Sequence, residues 1–137
     1  MLKIKIYTIG RLKEPWLTEA LSEYEKRLQG RIEIKWLLAK DDAELTKLIL
    51  EEATLIALDV QGELVSSEAL SSKLFQLGSR LSFVIGGSDG LPLPIKSKAK
   101  WRWSLSPLTF THQMTRLILL EQLYRASEIE RKSPYHK

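Results

Sequence analysis

A chain of 137 residues with 44% hydrophobic and 28% charged content is sized for one domain around a single apolar core. It has no Cys and only two His, which excludes a disulfide framework, a thiolate metal site and a cysteine nucleophile and argues against any metal cage. The formal charge of +4 is unevenly spread: residues 1–90 hold 12 Lys/Arg against 14 Asp/Glu (net −2), whereas residues 91–137 hold 9 against 3 (net +6).

In chain order, LKIKIYTIG (residues 2–10) alternates apolar and basic residues and predicts a strand. Residues 14–29 place Trp16, Leu17, Ala20, Leu21, Tyr24 and Leu28 at helical spacing, with Pro15 in the first turn and Gly30 as the stop. RIEIKWLL (31–38) alternates again, and Asp41 with Glu44 resembles a capping pair for a helix to about Glu52. ATLIALDV (53–60) is nearly continuous in apolar residues, as in a central strand covered on both faces. Ser66 or Ser67 with Glu68 opens a helix that ends at Gly78. RLSFVIGG (80–87) and WRWSLS (101–106) are further buried strands, and a last helix spans about 111–131. The alternation predicts an α/β fold with a mostly parallel sheet flanked by helices.

Three strand ends could converge: 58–62, the glycine-rich turn 86–90, and the loop LSPLTF. Gly86, Gly87 and Gly90 serve either a close backbone approach to a ligand or a tight turn. Neither a Walker lysine nor GxGxxG follows the first strand, so phosphate cradling has little support. Leu105, Pro107, Leu108 and Phe110 offer an apolar wall, Ser106 and Thr109 offer hydroxyls, and the peptide groups offer donors and acceptors, a mixture that suits a flat adenine. Asp59 and Asp89 read as turn-formers or polar contacts, and Trp101 and Trp103 as core, interface or base-stacking residues. Glu121 and Arg125 form an ordinary helical ion pair, and His112 fixes the helix start. The C-terminal basic excess, from Lys96, Lys98, Lys100 and Arg102 to Arg131 and Lys132, suits a polyanion or is a solubilising fringe.

Taken together, LDVQG with SSE, FVIGGSDG, LSPLTFTHQMTRLILLEQLYRA and the terminal PYHK resemble the SPOUT-class methyltransferase H family of the bacterial large ribosomal subunit. The resemblance covers essentially the whole chain, including IYTIGRLKE and EYEKRL near its start. It implies one SPOUT domain over residues 1–137, with a deep trefoil knot within roughly 53–137. It further implies S-adenosylmethionine as methyl donor and N3 of a pseudouridine in large-subunit ribosomal RNA as acceptor. Carried onto this chain, the cofactor contacts are Leu58, Gly86, Leu105, Ser106, Pro107, Leu108, Thr109 and Phe110. His136, Tyr135 and Arg116 are the expected catalytic or RNA-side residues. His136 acts either as proton acceptor or as a stabilising cation, with the tail of one protomer reaching the site of the other.

Thr111 stands where the family usually has Pro, and it is itself an acceptable helix cap. The apolar girth of the last helix, wider than one sheet needs, points to a homodimer. The small size points to a large, shaped substrate such as the assembled ribosome. The nearest alternatives are a transfer-RNA methyltransferase of the same fold and a non-catalytic basic RNA-binding module. No apolar run approaches the ~18 residues of a membrane span. MLKIKIYTIGRLKE is too charged for a signal peptide, so a cytoplasmic location without a membrane partner is expected.

Overall fold

The first strand sets the layering. In β1 (Leu2–Ile9), Leu2, Ile4 and Ile6 are buried on one face while Lys3 and Lys5 are exposed, and Tyr7 is buried in a separate cluster on the other face. The computed structural model describes all 137 residues. The remaining elements are α1 (Pro15–Leu28), β2 (Ile32–Ala39), α2 (Asp42–Leu48), β3 (Leu55–Leu64), α3 (Ser67–Leu77), β4 (Arg80–Ile85), α4 (Leu93–Lys98), β5 (Trp101–Ser104) and α5 (His112–Glu130). The five strands form one parallel sheet in the order β2-β1-β4-β3-β5.

The larger apolar cluster joins one sheet face to α1, α3 and α5 through Leu17, Leu21, Leu70, Leu74, Leu119 and Leu123. The smaller one joins the other face to α2 and α4 through Tyr7, Leu45, Ile49, Ala57 and Ile95. β3 is therefore covered on both sides, Ile56 facing the first cluster and Leu55 and Ala57 the second, as its unbroken apolar run predicts.

The local signals act as expected. Asp41 caps α2 by accepting from the Glu44 N–H, Ser66 caps α3 by accepting from the Ala69 N–H, and Gly30 follows α1 at φ 81°. Thr111 caps α5 by accepting from the Met114 N–H at 3.2 Å, so the departure from Pro leaves the helix start well formed.

Two boundaries and one element stand out against the sequence expectation. α2 ends at Leu48 rather than near Glu52, because the Glu52 carboxylate is drawn away into hydrogen bonds with Lys5, Tyr7 and Ser82. β5 stops at Ser104, where the Ser104 hydroxyl donates to the Ser106 carbonyl and turns the chain. The short helix α4 is unexpected in a segment holding Pro92 and Pro94, yet Pro is compatible with a first helical turn, where no N–H partner is needed.

β3 also has an interruption. Leu58 and Glu63 both register on Trp103 of β5, so residues 59–62 leave the ladder and return to it. Gly62 is required there: a Cβ would lie 2.6 Å from the Arg102 carbonyl oxygen.

Candidate cofactor cleft

Because β4, β3 and β5 are adjacent and parallel, the loops leaving them emerge at the same sheet edge. They enclose a cavity of about 380 Å³. Leu58, Gly86, Leu105, Ser106, Leu108, Thr109 and Phe110 all line it. Pro107 does not; it is exposed on the outer side of its loop. The cavity also takes in Asp59, Gln61, Ser88, Lys96, His112 and Thr115, none of which is among the expected cofactor contacts. Asp59, Gln61 and Ser88 fall in the segments 58–62 and 86–90 that the sequence marks as converging, whereas nothing in the sequence places Lys96 or Thr115 there.

The loop 105–110 is built with its peptide groups open. Ser106 organises it from within: its carbonyl accepts from the Ser104 hydroxyl at 3.0 Å and its own hydroxyl accepts from the Leu108 N–H at 3.0 Å. No backbone–backbone hydrogen bond involves any residue from 105 to 110. The N–H and C=O groups of Thr109 and Phe110 are thus free for a ligand edge, beside the apolar side chains of Leu58, Ile85, Leu105 and Leu108. That combination fits an adenine-bearing cofactor.

Gly86 shapes the opposite wall. A Cβ there would lie 2.7 Å from both the carbonyl carbon and oxygen of Gly90, so glycine is needed for the loop to fold onto itself. Gly90, at φ 83°, completes that turn by donating its N–H to the Gly87 carbonyl at 3.1 Å. Asp59 is a turn residue as well, accepting from the Gln61 N–H at 3.0 Å, and its carboxylate holds Arg102 at 3.2 Å and Lys96 at 3.9 Å. Asp89 does not line the cavity. At the rim, burial, and after it the charges of Arg116 and Lys13, lower the pKa of His112 and favour its neutral form.

The three residues expected to be catalytic lie elsewhere within the chain. Arg116 is 1% exposed and lines no part of the cavity. Its guanidinium donates to the carbonyls of Ile9 at 2.9 Å and Gly10 at 2.8 Å, binding α5 to the end of β1. Tyr135 and His136 lie on their own α5 and α3. The left-handed Lys132 (φ 60°) follows the helix end, and the Ser133 N–H bonds back to the Glu128 carbonyl. The Tyr135 ring meets Tyr124 edge-on at 4.7 Å, and its hydroxyl donates to Glu121 at 2.6 Å. That hydrogen bond and burial push the Tyr135 pKa up to about 12. His136 sits between Arg125, 3.1 Å from Nδ1, and Glu68, 3.2 Å from Nε2.

Arg125 pairs with Glu121 at 3.2 Å, as the helical spacing implies. Trp101 and Trp103 are buried and stacked at 5.6 Å, which makes them core and removes them from base stacking. No group of three or more His, Cys, Asp or Glu is arranged to hold a metal ion. No helix is long and apolar enough to cross a membrane.

Comparison with known proteins agrees with this geometry. Residues 2–136 match the family described as "Predicted SPOUT methyltransferase". The chain is 50% identical over its full length and that of the relative to a "Ribosomal RNA large subunit methyltransferase H" of Protochlamydia amoebophila. It is 41% identical, again over the full length of both, to a protein of the same description from Legionella pneumophila. Among solved structures it superposes on a "probable methylase family protein" from Haemophilus influenzae with a TM-score of 0.63 at 13% identity, covering 98% of this chain and 70% of that one. The SpoU methyltransferase AviRb of Streptomyces viridochromogenes, solved with AdoMet, gives 0.54 at 10% identity, covering 94% and 58%. Those two likenesses establish a shared fold, and the match over residues 2–136 carries the conclusion: this chain belongs to the SPOUT methyltransferase family.

Proposed function

We propose that this protein transfers a methyl group from S-adenosylmethionine to N3 of a pseudouridine in large-subunit ribosomal RNA, acting on the assembled ribosome in the cytoplasm. The observation that carries the cofactor is the cavity beyond β4, β3 and β5, bounded by a loop that makes no backbone–backbone hydrogen bonds and leaves the peptide groups of Thr109 and Phe110 unpaired. The relatives described as large-subunit ribosomal RNA methyltransferases supply the substrate class, and the net charge of +6 over residues 91–137 suits a phosphate-rich partner.

When bound, the cofactor supplies an electrophilic methyl on a sulfonium. The loop 105–110 and Leu58 would hold its adenine edge and face, and Gly86 keeps the glycine turn folded so that the cleft stays open. N3 of pseudouridine is an imide nitrogen, a poor nucleophile until its proton leaves to bulk water; we assign His136 to stabilising the resulting anion and Tyr135 to stacking on or hydrogen-bonding the base. Neither reaches the cavity of its own chain, which supports delivery of the tail to the cavity of a second protomer. The partly buried Met114, Ile118 and Ile129 on α5, outside the buried stripe, offer the surface for that homodimer.

Arg125 can only donate, so it holds His136 Nδ1 as an acceptor and places the ring proton on Nε2. In that tautomer Nε2–H is a donor, suited to stabilise the developing imide anion. We place a deep trefoil knot within roughly residues 53–137, the part of the chain where residues 59–62 leave the β3–β5 ladder and Gly62 packs against the Arg102 carbonyl. Arg116 we assign to positioning α5.

The test is mass mapping of the methylated nucleoside after incubating the protein and S-adenosylmethionine with unmodified ribosomes, isolated subunits, naked ribosomal RNA and transfer RNA. N3-methylpseudouridine formed fastest in ribosomes is the expected product. Methylation of transfer RNA alone would assign a different substrate, and naked RNA turning over as fast as ribosomes would remove the assembled particle from the reading.

A further inference from the structure

A second cavity, of about 640 Å³, lies beside the cofactor cleft and shares Gly87, Ser88, Thr109, Phe110 and His112 with it. Its far wall comes from the start of α1: Lys13, Glu14, Trp16 and Leu17. Trp16 is 54% exposed, unlike Trp101 and Trp103, which the core absorbs. Arg11 and Lys13 are exposed and have no carboxylate within ion-pair distance, whereas Arg102 and Lys96 are held by Asp59. An exposed indole, uncommitted cations and a wall in common with the cofactor cavity are what a nucleotide beside a methyl donor requires. The base needs a stacking face, its backbone needs positive charge, and the acceptor atom must come within reach of the donor cavity.

Building on the function proposed above, we infer that this cavity receives the target nucleotide, with Trp16 stacking on a base and Lys13 and Arg11 contacting flanking phosphates. The start of α1 is thereby a substrate-binding element, although the chemistry read from the sequence lies wholly from residue 58 onward.

The test compares wild type, Trp16→Ala, Trp16→Phe and Lys13→Glu for methyl transfer to ribosomes, S-adenosylmethionine affinity by calorimetry, and mass by light scattering. Trp16→Ala should lose about 10- to 100-fold in kcat/KM, the scale of one base–aromatic stack, while the phenylalanine variant recovers most of it. Lys13→Glu should raise KM and flatten its salt dependence. Cofactor affinity should stay within about twofold of wild type in all three, as the altered side chains lie outside the first cavity. Undiminished transfer by Trp16→Ala overturns the inference while leaving the proposed function intact. A matching loss of cofactor affinity reassigns the wall to the cofactor, and loss of the dimer reassigns it to a protein partner; either overturns it. Wild type that methylates no ribosomal substrate sinks the function and this pocket together.

Discussion

Single atoms decide much of the cleft. Gly86 tolerates no Cβ because the Gly90 carbonyl group is 2.7 Å from where one would sit, so Gly86→Ala should displace the turn and weaken S-adenosylmethionine binding about tenfold or more, read by calorimetry. His136→Ala should lower kcat by about 100-fold with cofactor affinity nearly unchanged, since the tail lies outside the cavity of its own chain. His136→Gln, which keeps a donor, should lose less; equal losses in both variants would favour proton abstraction over donation. His112 carries the opposite lesson, because burial and neighbouring cations disfavour its charged form. Above the unfolded pKa of about 6.5 both states are neutral and nothing is gained or lost. Below it the unfolded chain takes up a proton that the folded one resists, so stability should fall as pH drops from about 6.5. Denaturant titrations of His112→Gln should show a shallower decline over that range.

At the scale of elements, α5 has two faces with different duties. Arg116, Leu119, Leu120, Leu123 and Ala126 are buried against the sheet, α1 and α3, whereas Met114, Ile118, Glu121 and Arg125 are half-covered. Arg116→Met should cost about 3 kcal/mol or more in denaturant unfolding, because the Ile9 and Gly10 carbonyls lose their buried donors. Cofactor binding by the folded fraction should persist, which separates anchoring from catalysis. Ile118→Asp should leave the helical signal intact while converting a dimer to a monomer with negligible turnover, measured by light scattering alongside activity. The sequence reading of these elements succeeds where the cause is local. Asp41, Ser66 and Thr111 cap the helices that they precede, and the apolar runs of β3 and β4 are central strands. It fails at α4, where two prolines obscure a six-residue helix, and at the end of α2, where Glu52 answers to β1 and β4 rather than to its own helix.

For the whole molecule, the proposed dimer makes each active site a product of two chains. Mixing a Gly86→Ala chain with a His136→Ala chain should restore about a quarter of the wild-type rate, since random pairing gives half heterodimers with one complete site each. No restoration would confine the tail to its own chain. What the sequence determined by itself is the succession of elements, their caps, the charge asymmetry and the family motifs, because periodicity, capping and composition are short-range properties written in contiguous residues. Seven of the eight residues expected to contact the cofactor line one cavity, and they could be singled out because the motif segments that carry them are contiguous. The tertiary structure alone decided the order β2-β1-β4-β3-β5, the second cavity under Trp16 and the turning of the tail away from its own cleft. It also placed Arg116 against Ile9, 107 positions earlier in the chain. Such pairings depend on which buried surfaces meet when the sheet closes, and a buried guanidinium takes whichever carbonyls that packing leaves within its reach.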